Sequence, residues 1–279
     1  MGKWDSWLGR NVTQHDRLRP AALQRFQATL DSDESGNIAP QAVHWIMCTP
    51  QAVTAQLGKD GHPLRNDSPD SFMPPIPLPR RMWASSKVEF LAPIAVDAEI
   101  ERCSTIASIS EKVGSSGSLF FVDVTHTTHA NGALAVEETQ TIVYREATSA
   151  KAEPAPPSSD PDFSRWQFSR SIIPNEILLF RYSALTFNSH RIHYDLPYAT
   201  GEESYRGLVV HGPLIASLLL DLAGREFGQN ALKAFNFRAQ SPAFVNETLH
   251  LVGNRTDETV TLAALGHDGR TCMSADARL

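Results

Sequence analysis

The strongest hydrophobic pattern in the chain falls within Pro213–Phe227, where Leu214, Ile215, Leu218, Leu219 and Leu222 recur at helical spacing. These positions share one broad face of a 3.6-residue helix, while Ala216, Ser217 and Ala223 keep the remainder small. A helix apolar around most of its girth is stable only when enclosed, so the pattern predicts a buried helix. Weaker helical spacing marks Pro20–Leu30 and Pro40–Met47, with Pro40 suited to a first turn. Runs rich in Val, Ile, Phe and Thr predict strands over Lys87–Phe90, Glu99–Ile109, Leu119–Thr128 and Ala135–Arg145. Four more are predicted after the buried helix, over Ala234–Ala239, Thr248–Gly253, Thr259–Leu265 and Cys272–Asp276. Gly114–Gly117 and Asn131-Gly132 supply turns, the latter a hairpin signal.

The stretch Ala147–Asp162 is rich in Pro, Ser, Ala and acid and has no apolar period, so it reads as a surface linker. It divides the chain into an N-terminal half, 1–146, and a C-terminal half, 163–279. Each half reads as a helix followed by antiparallel strands. The economical architecture is α+β, a helix wrapped by a curved sheet, twice over.

Composition narrows the partners. Hydrophobic residues make up 42% and charged residues 20%, ordinary values for a globular protein. The net charge is −6 and the Lys and Arg residues are scattered, so no nucleic-acid partner is expected. No apolar run approaches transmembrane length, so no membrane partner is expected and a cytoplasmic location is. The three cysteines, Cys48, Cys103 and Cys272, are widely spaced and give no disulfide framework or metal pair.

The chemistry concentrates just ahead of the buried helix. Asn188, His190 and His193 precede a Gly212-Pro213 helix start. Imidazoles move protons near neutral pH, and the N–H groups of Gly212 and Leu214 have no partner inside the helix. That combination suits chemistry next to a carbonyl, with a base beside amides that hold an oxyanion. His190 and His193 lack a third ligand at a metal-site spacing, so no metal is expected. No Gly-rich phosphate loop with Lys is present, and no cofactor is expected.

Tyr182-Ser-Ala-Leu-Thr186, followed by Asn188, His193 and Gly207…His211-Gly212, resembles the MaoC-like, R-specific enoyl-CoA hydratase family of hotdog proteins. Phe187-Asn-Ser-His-Arg-Ile-His-Tyr-Asp195 is closest to a subgroup of mesaconyl-C4-CoA hydratases, itaconyl-CoA hydratases and hydroxyacyl-thioester dehydratases type 2. Leu57-Gly-Lys-Asp-Gly-His-Pro63 and Pro74-Pro-Ile-Pro-Leu-Pro-Arg-Arg-Met-Trp83 resemble the N-terminal half of the same subgroup. The resemblance implies a tandem (double) hotdog fold. It implies a hydro-lyase that adds water reversibly to an enoyl-CoA thioester, mesaconyl-C4-CoA or itaconyl-CoA giving citramalyl-CoA.

In that reading His193 is the base. The family's Asp, five residues before the His, is replaced by Asn188, which holds the water without taking its proton. Either His193 then makes both proton transfers, or His190 substitutes for the acid. Arg80, Arg81, Arg191 and Arg238 are candidates for CoA phosphate or for a distal substrate carboxylate. Gly212 and Leu214 would cradle the thioester oxygen. The N-terminal half has no comparable His pair and would form pocket wall, leaving catalysis to the C-terminal half. A homodimer or higher oligomer is expected, in the mitochondrial matrix if the source is eukaryotic. Rival readings are a 3-hydroxyacyl-thioester dehydratase of fatty-acid synthesis, a thioesterase, and a non-catalytic acyl-CoA binder.

Overall fold

The computed structural model describes residues 3–32, 36–66, 68–114, 117–146 and 162–279. The segment read as a linker lies outside the described residues except for Asp162. The strands are β1 (Asn11–Arg17), β2 (Arg80–Phe90), β3 (Glu99–Gly114), β4 (Gly117–Ala130) and β5 (Ala133–Arg145), then β6 (Phe168–Ile172), β7 (Ala234–Ala239), β8 (Leu249–Thr256), β9 (Thr259–Gly266) and β10 (Thr271–Arg278). The helices are α1 (Pro20–Thr29), α2 (Glu176–Thr186), α3 (Leu196–Gly201) and α4 (Gly212–Phe227).

The strands form one sheet in the order β1-β3-β4-β5-β2-β7-β10-β9-β8-β6. Read inward from either edge, the order is the same once β6 to β10 are matched to β1 to β5. The halves are therefore repeats related by a pseudo-two-fold at the β2–β7 ladder, where Ser85 faces Arg238 and Glu89 faces Ala234. This is the tandem hotdog. The repeats share one hydrophobic core: Phe26 and Val88 of the first belong to the same buried cluster as Leu219 and Phe235 of the second.

Helix α4 sits where its pattern places it. Leu214, Ile215, Leu218, Leu219 and Leu222 are buried, and so are Ala216, Ser217, Leu220 and Ala223. The first repeat differs. The expected helix over Pro40–Met47 is only a 3₁₀ turn, Val43–Ile46, between residues in the left-handed region, Ala42 (φ 80°) and Cys48 (φ 50°). The Thr49-Pro50 step follows, and a residue before proline is driven out of helical geometry. Without a long helix there, the chain from Met47 to Pro79 is free to reach across to the other repeat. Arg65 ties it down, donating to the carbonyls of Ile76 (3.1 Å) and Pro79 (2.7 Å).

Four elements escaped the hydrophobic pattern. β1 and β6 are edge strands with half-exposed, mixed sequences, so their alternation is weak. α3 is a single capped turn. In α2, Leu179 and Tyr182 are buried while Ile177 and Phe180 are exposed, so apolar residues on both faces hide the period.

Candidate active site

The end of α2 builds the histidine loop. Asn175 caps its start, accepting from the Leu178 amide at 2.9 Å, and Phe187 ends it in the left-handed region (φ 49°). The Asn188 amide returns to the Ser183 carbonyl at 2.9 Å, and the Asn188 side-chain oxygen accepts from the His190 amide at 3.0 Å. This local turn places His190 at the start of a 3₁₀ turn, Arg191–His193. Asp195 then caps α3, accepting from the Tyr198 amide at 3.1 Å.

The segment entering α4 runs alongside. Val209 donates its amide to Ile192 O at 3.0 Å, and its own carbonyl lies 2.7 Å from His193 Nδ1. A carbonyl only accepts, so Nδ1 carries the proton and the His193 Nε2 lone pair is free. His193 is buried, and burial lowers its pKa to about 4 against the opposing pull of the Val209 bond. It is neutral near pH 7. The His211 ring stacks on it, centroids 3.5 Å apart and planes within 19°, and His211 Nε2 lies 2.8 Å from Ser183 Oγ. His211 immediately precedes Gly212, where an added Cβ would meet nothing within 4 Å. Open space therefore lies in front of the helix start, where α4 presents unpaired amides and its positive end.

The first repeat covers this loop with Leu57–Pro63, a segment the sequence flagged only by resemblance. Asp60 O accepts from the Arg191 amide (2.8 Å), Lys59 O from Arg191 Nη1 (2.9 Å) and Gly61 O from Ser189 Oγ (2.5 Å). Asp60 Oδ2 lies 3.2 Å from His62 Nδ1, and the His62 ring lies 4.1 Å from that of His190. His190 in turn meets His193 edge-on at 5.5 Å. A row of imidazoles, His62, His190, His193 and His211, thus crosses from one repeat into the other. Burial opposes ionisation of Asp60, but the hydrogen bonds from His62 outweigh it and hold the carboxyl at about 2. Burial, reinforced by His62 and His193, lowers His190 to about 2. Asp60, His62 and His190 also offer ligand atoms within 4.8 Å of one another, a group that joins the two repeats and does not include His193.

The candidate arginines separate. Arg81 lies at the site: it hydrogen-bonds the buried Tyr144, its charge acts on His190, and it has no carboxylate ion pair among the described residues. Arg80 is held by Glu203 at 3.3 Å. Arg191 is committed to Asp195 (2.6 Å) and lies over the Tyr198 ring. Arg238 is exposed on β7, on the opposite face from buried Phe237, and does not reach the histidines.

The equivalent place in the first repeat has no histidine. Ile38 bridges to Ala95 as Val209 bridges to Phe244, and Ala39 N donates to Ile94 O (2.8 Å) as Val210 N does to Ala243 O (2.9 Å). Pro40 therefore stands where His211 does, and Gln41 where Gly212 does. A cavity of about 380 Å³ opens there, lined by Ala39, Pro40, Val43, Phe90, Leu232 and also His44, which lies four positions beyond Pro40 and matches neither His193 nor His211; the cavity does not reach His193.

Comparison with known proteins agrees with this geometry. The profile of the hydroxyacyl-thioester dehydratase type 2 family matches residues 42–245. A mesaconyl-C(4)-CoA hydratase of Chloroflexus aurantiacus is 40% identical over 280 residues, covering 99% of this chain and 98% of that protein. A MaoC-like dehydratase of Phytophthora capsici superposes with a TM-score of 0.73 at 14% identity, covering 99% of this chain and 98% of the other. A Mycobacterium tuberculosis protein described as a double hotdog superposes at 0.59 and 11% identity, covering 98% and 96%. The chain belongs to the hydroxyacyl-thioester dehydratase type 2 family of MaoC-like hotdog proteins, and it is a hydro-lyase of the hydratase/dehydratase type acting on acyl thioesters.

Proposed function

We propose that the enzyme adds water reversibly to an enoyl-CoA, with mesaconyl-C4-CoA or itaconyl-CoA as substrate and citramalyl-CoA as product; the steps below apply to the conjugated double bond of mesaconyl-C4-CoA, into which the double bond of itaconyl-CoA must first shift. The observation that carries the reading is the His193 Nδ1 bond to Val209 O, which leaves Nε2 free beside the start of α4. Water attacks Cβ as His193 Nε2 takes its proton. The charge that moves to the thioester oxygen is met by the amides of Gly212 and Leu214 at the positive end of α4. Asn188 orders the loop through His190 and turns its amide toward the water. The second repeat supplies this chemistry; the first supplies wall, clasp and Arg81.

A dicarboxylic acyl group is favoured by two observations. The full-length relative at 40% identity bears the name mesaconyl-C(4)-CoA hydratase. The charge of Arg81 acts on His190, and Arg81 has no carboxylate ion pair among the described residues. Dehydration of 3-hydroxyacyl thioesters in fatty-acid synthesis is the second reading, favoured by the description of the matching family. Incubation with short, long and dicarboxylic enoyl-CoAs, followed by mass analysis for a gain of one water, separates the two. His193→Ala is expected to abolish turnover while melting as the wild type does; full activity in that variant would refute the assignment.

A further inference from the structure

Asn188, on the second repeat, is an amide and takes no proton, yet a carboxylate stands close by on the first repeat. Asp60 and His62 arrive on the Leu57–Pro63 segment, which is fastened to the histidine loop by the bonds to Arg191 and Ser189. Asp60 Oδ2 faces His62 Nδ1 at 3.2 Å, and the His62 ring lies against that of His190. A carboxylate on Nδ1 fixes the tautomer and orientation of an imidazole, leaving Nε2 for chemistry.

We propose that His62, positioned by Asp60, is the second proton-transfer group of the site and protonates Cα while His193 deprotonates water. This rests on the hydration reading above. An O–H bond of water breaks and its proton goes to His193 Nε2; the C–O bond forms at Cβ; the enolate collapses and Cα takes a proton from Nε2 of His62, which enters the step as the imidazolium with its Nδ1–H held by Asp60. His193 then carries one proton too many and His62 one too few. His193 gives up its extra proton and His62, whose side chain is 28% exposed, takes one back from solvent, so the net change is addition of one water.

His190 is a poor alternative acid: burial and the neighbouring imidazoles keep it neutral, with a pKa lowered to about 2. The charged and titratable groups around His62 are Asp60, His190, His193, Arg81 and Tyr198.

The test is steady-state kinetics of His62→Ala, Asp60→Asn and His193→Ala on whichever thioester of the panel the wild type hydrates. His62→Ala should lower kcat about 100-fold or more with little change in KM, and added imidazole should restore part of it. Asp60→Asn should lower kcat about tenfold and move the alkaline limb of the pH–kcat profile to lower pH, because loss of a neighbouring negative charge weakens an acid's hold on its proton. Wild-type kcat in both variants, with His193→Ala inactive, overturns this inference alone. Full activity of His193→Ala removes the hydration site and this inference with it. Losses without imidazole rescue or a moved limb mean a structural clasp, and activity removed by a chelator and restored by zinc means a metal; either overturns the proposal.

Discussion

Gly61→Ala tests whether the two repeats are fastened across the site as described. Gly61 has φ +86°, and a Cβ built there would lie 1.9 Å from Ser189 O and 2.8 Å from Ser189 C, against a practical limit of 3.0 Å. Those atoms are backbone and cannot swing aside, so the Leu57–Pro63 segment must retreat by more than 1 Å. That movement breaks the bonds from Ser189 Oγ to Gly61 O and from Arg191 to Asp60 O and Lys59 O, at roughly 1 kcal/mol each. The left-handed conformation adds about 1–2 kcal/mol for a residue with a Cβ. The expected cost of this undocking is about 4–5 kcal/mol, and it leaves the histidine row without His62. The control is Gly132→Ala in the β4–β5 turn, where φ is +82° and nothing lies within 4 Å, so only the backbone term operates. Urea denaturation and kcat are measured on both variants. If Gly61→Ala is no less stable than Gly132→Ala and turns over at the wild-type rate, the clasp does not exist.

Three further outcomes are expected. His44, His193 and His211 are buried with pKa values held low by burial, about 3 for His44 and about 4 for His193. Their folded values lie below the unfolded value of 6.5, so the stability they represent is present above pH 6.5 and is lost as pH falls toward 4. At pH 5.5 the loss is roughly 1 kcal/mol for His44 and for His193, with His211 acting in the same direction, and equal denaturation midpoints at pH 7.5 and 5.5 would contradict it. Gly212→Ala should leave the melting temperature unchanged, since its Cβ meets no protein atom within 4 Å, yet raise KM or lower kcat by filling the space before α4; unaltered kinetics would mean substrate does not enter there. Arg81→Met should raise KM about 10- to 100-fold for a dicarboxylic enoyl-CoA and leave crotonyl-CoA unaffected, the worth of one charged hydrogen-bonded pair. Equal effects on both substrates would mean Arg81 does not read the acyl carboxylate.

The sequence by itself determined the elements whose pattern is strong and local. α4 announces itself through five apolar positions on one face, and the inner strands through runs of β-branched and aromatic residues whose alternate members face the core. The histidine loop was legible too, since Asn188, His190, His193 and Gly212 lie within one short stretch. Tertiary structure decided the rest. Pro40–Met47 has helical spacing, but two left-handed residues and a proline reduce it to a single turn. Candidate arginines of equal standing in the sequence are sorted only by what they touch: Glu203 for Arg80, Asp195 for Arg191, solvent for Arg238 and Tyr144 for Arg81. The tautomer of His193 depends on a carbonyl sixteen residues away, and Asp60 reaches His190 across 130 positions of chain. Periodicity records which face of an element avoids water; it carries no record of which distant backbone atom a ring will meet once the sheet has closed around the helix.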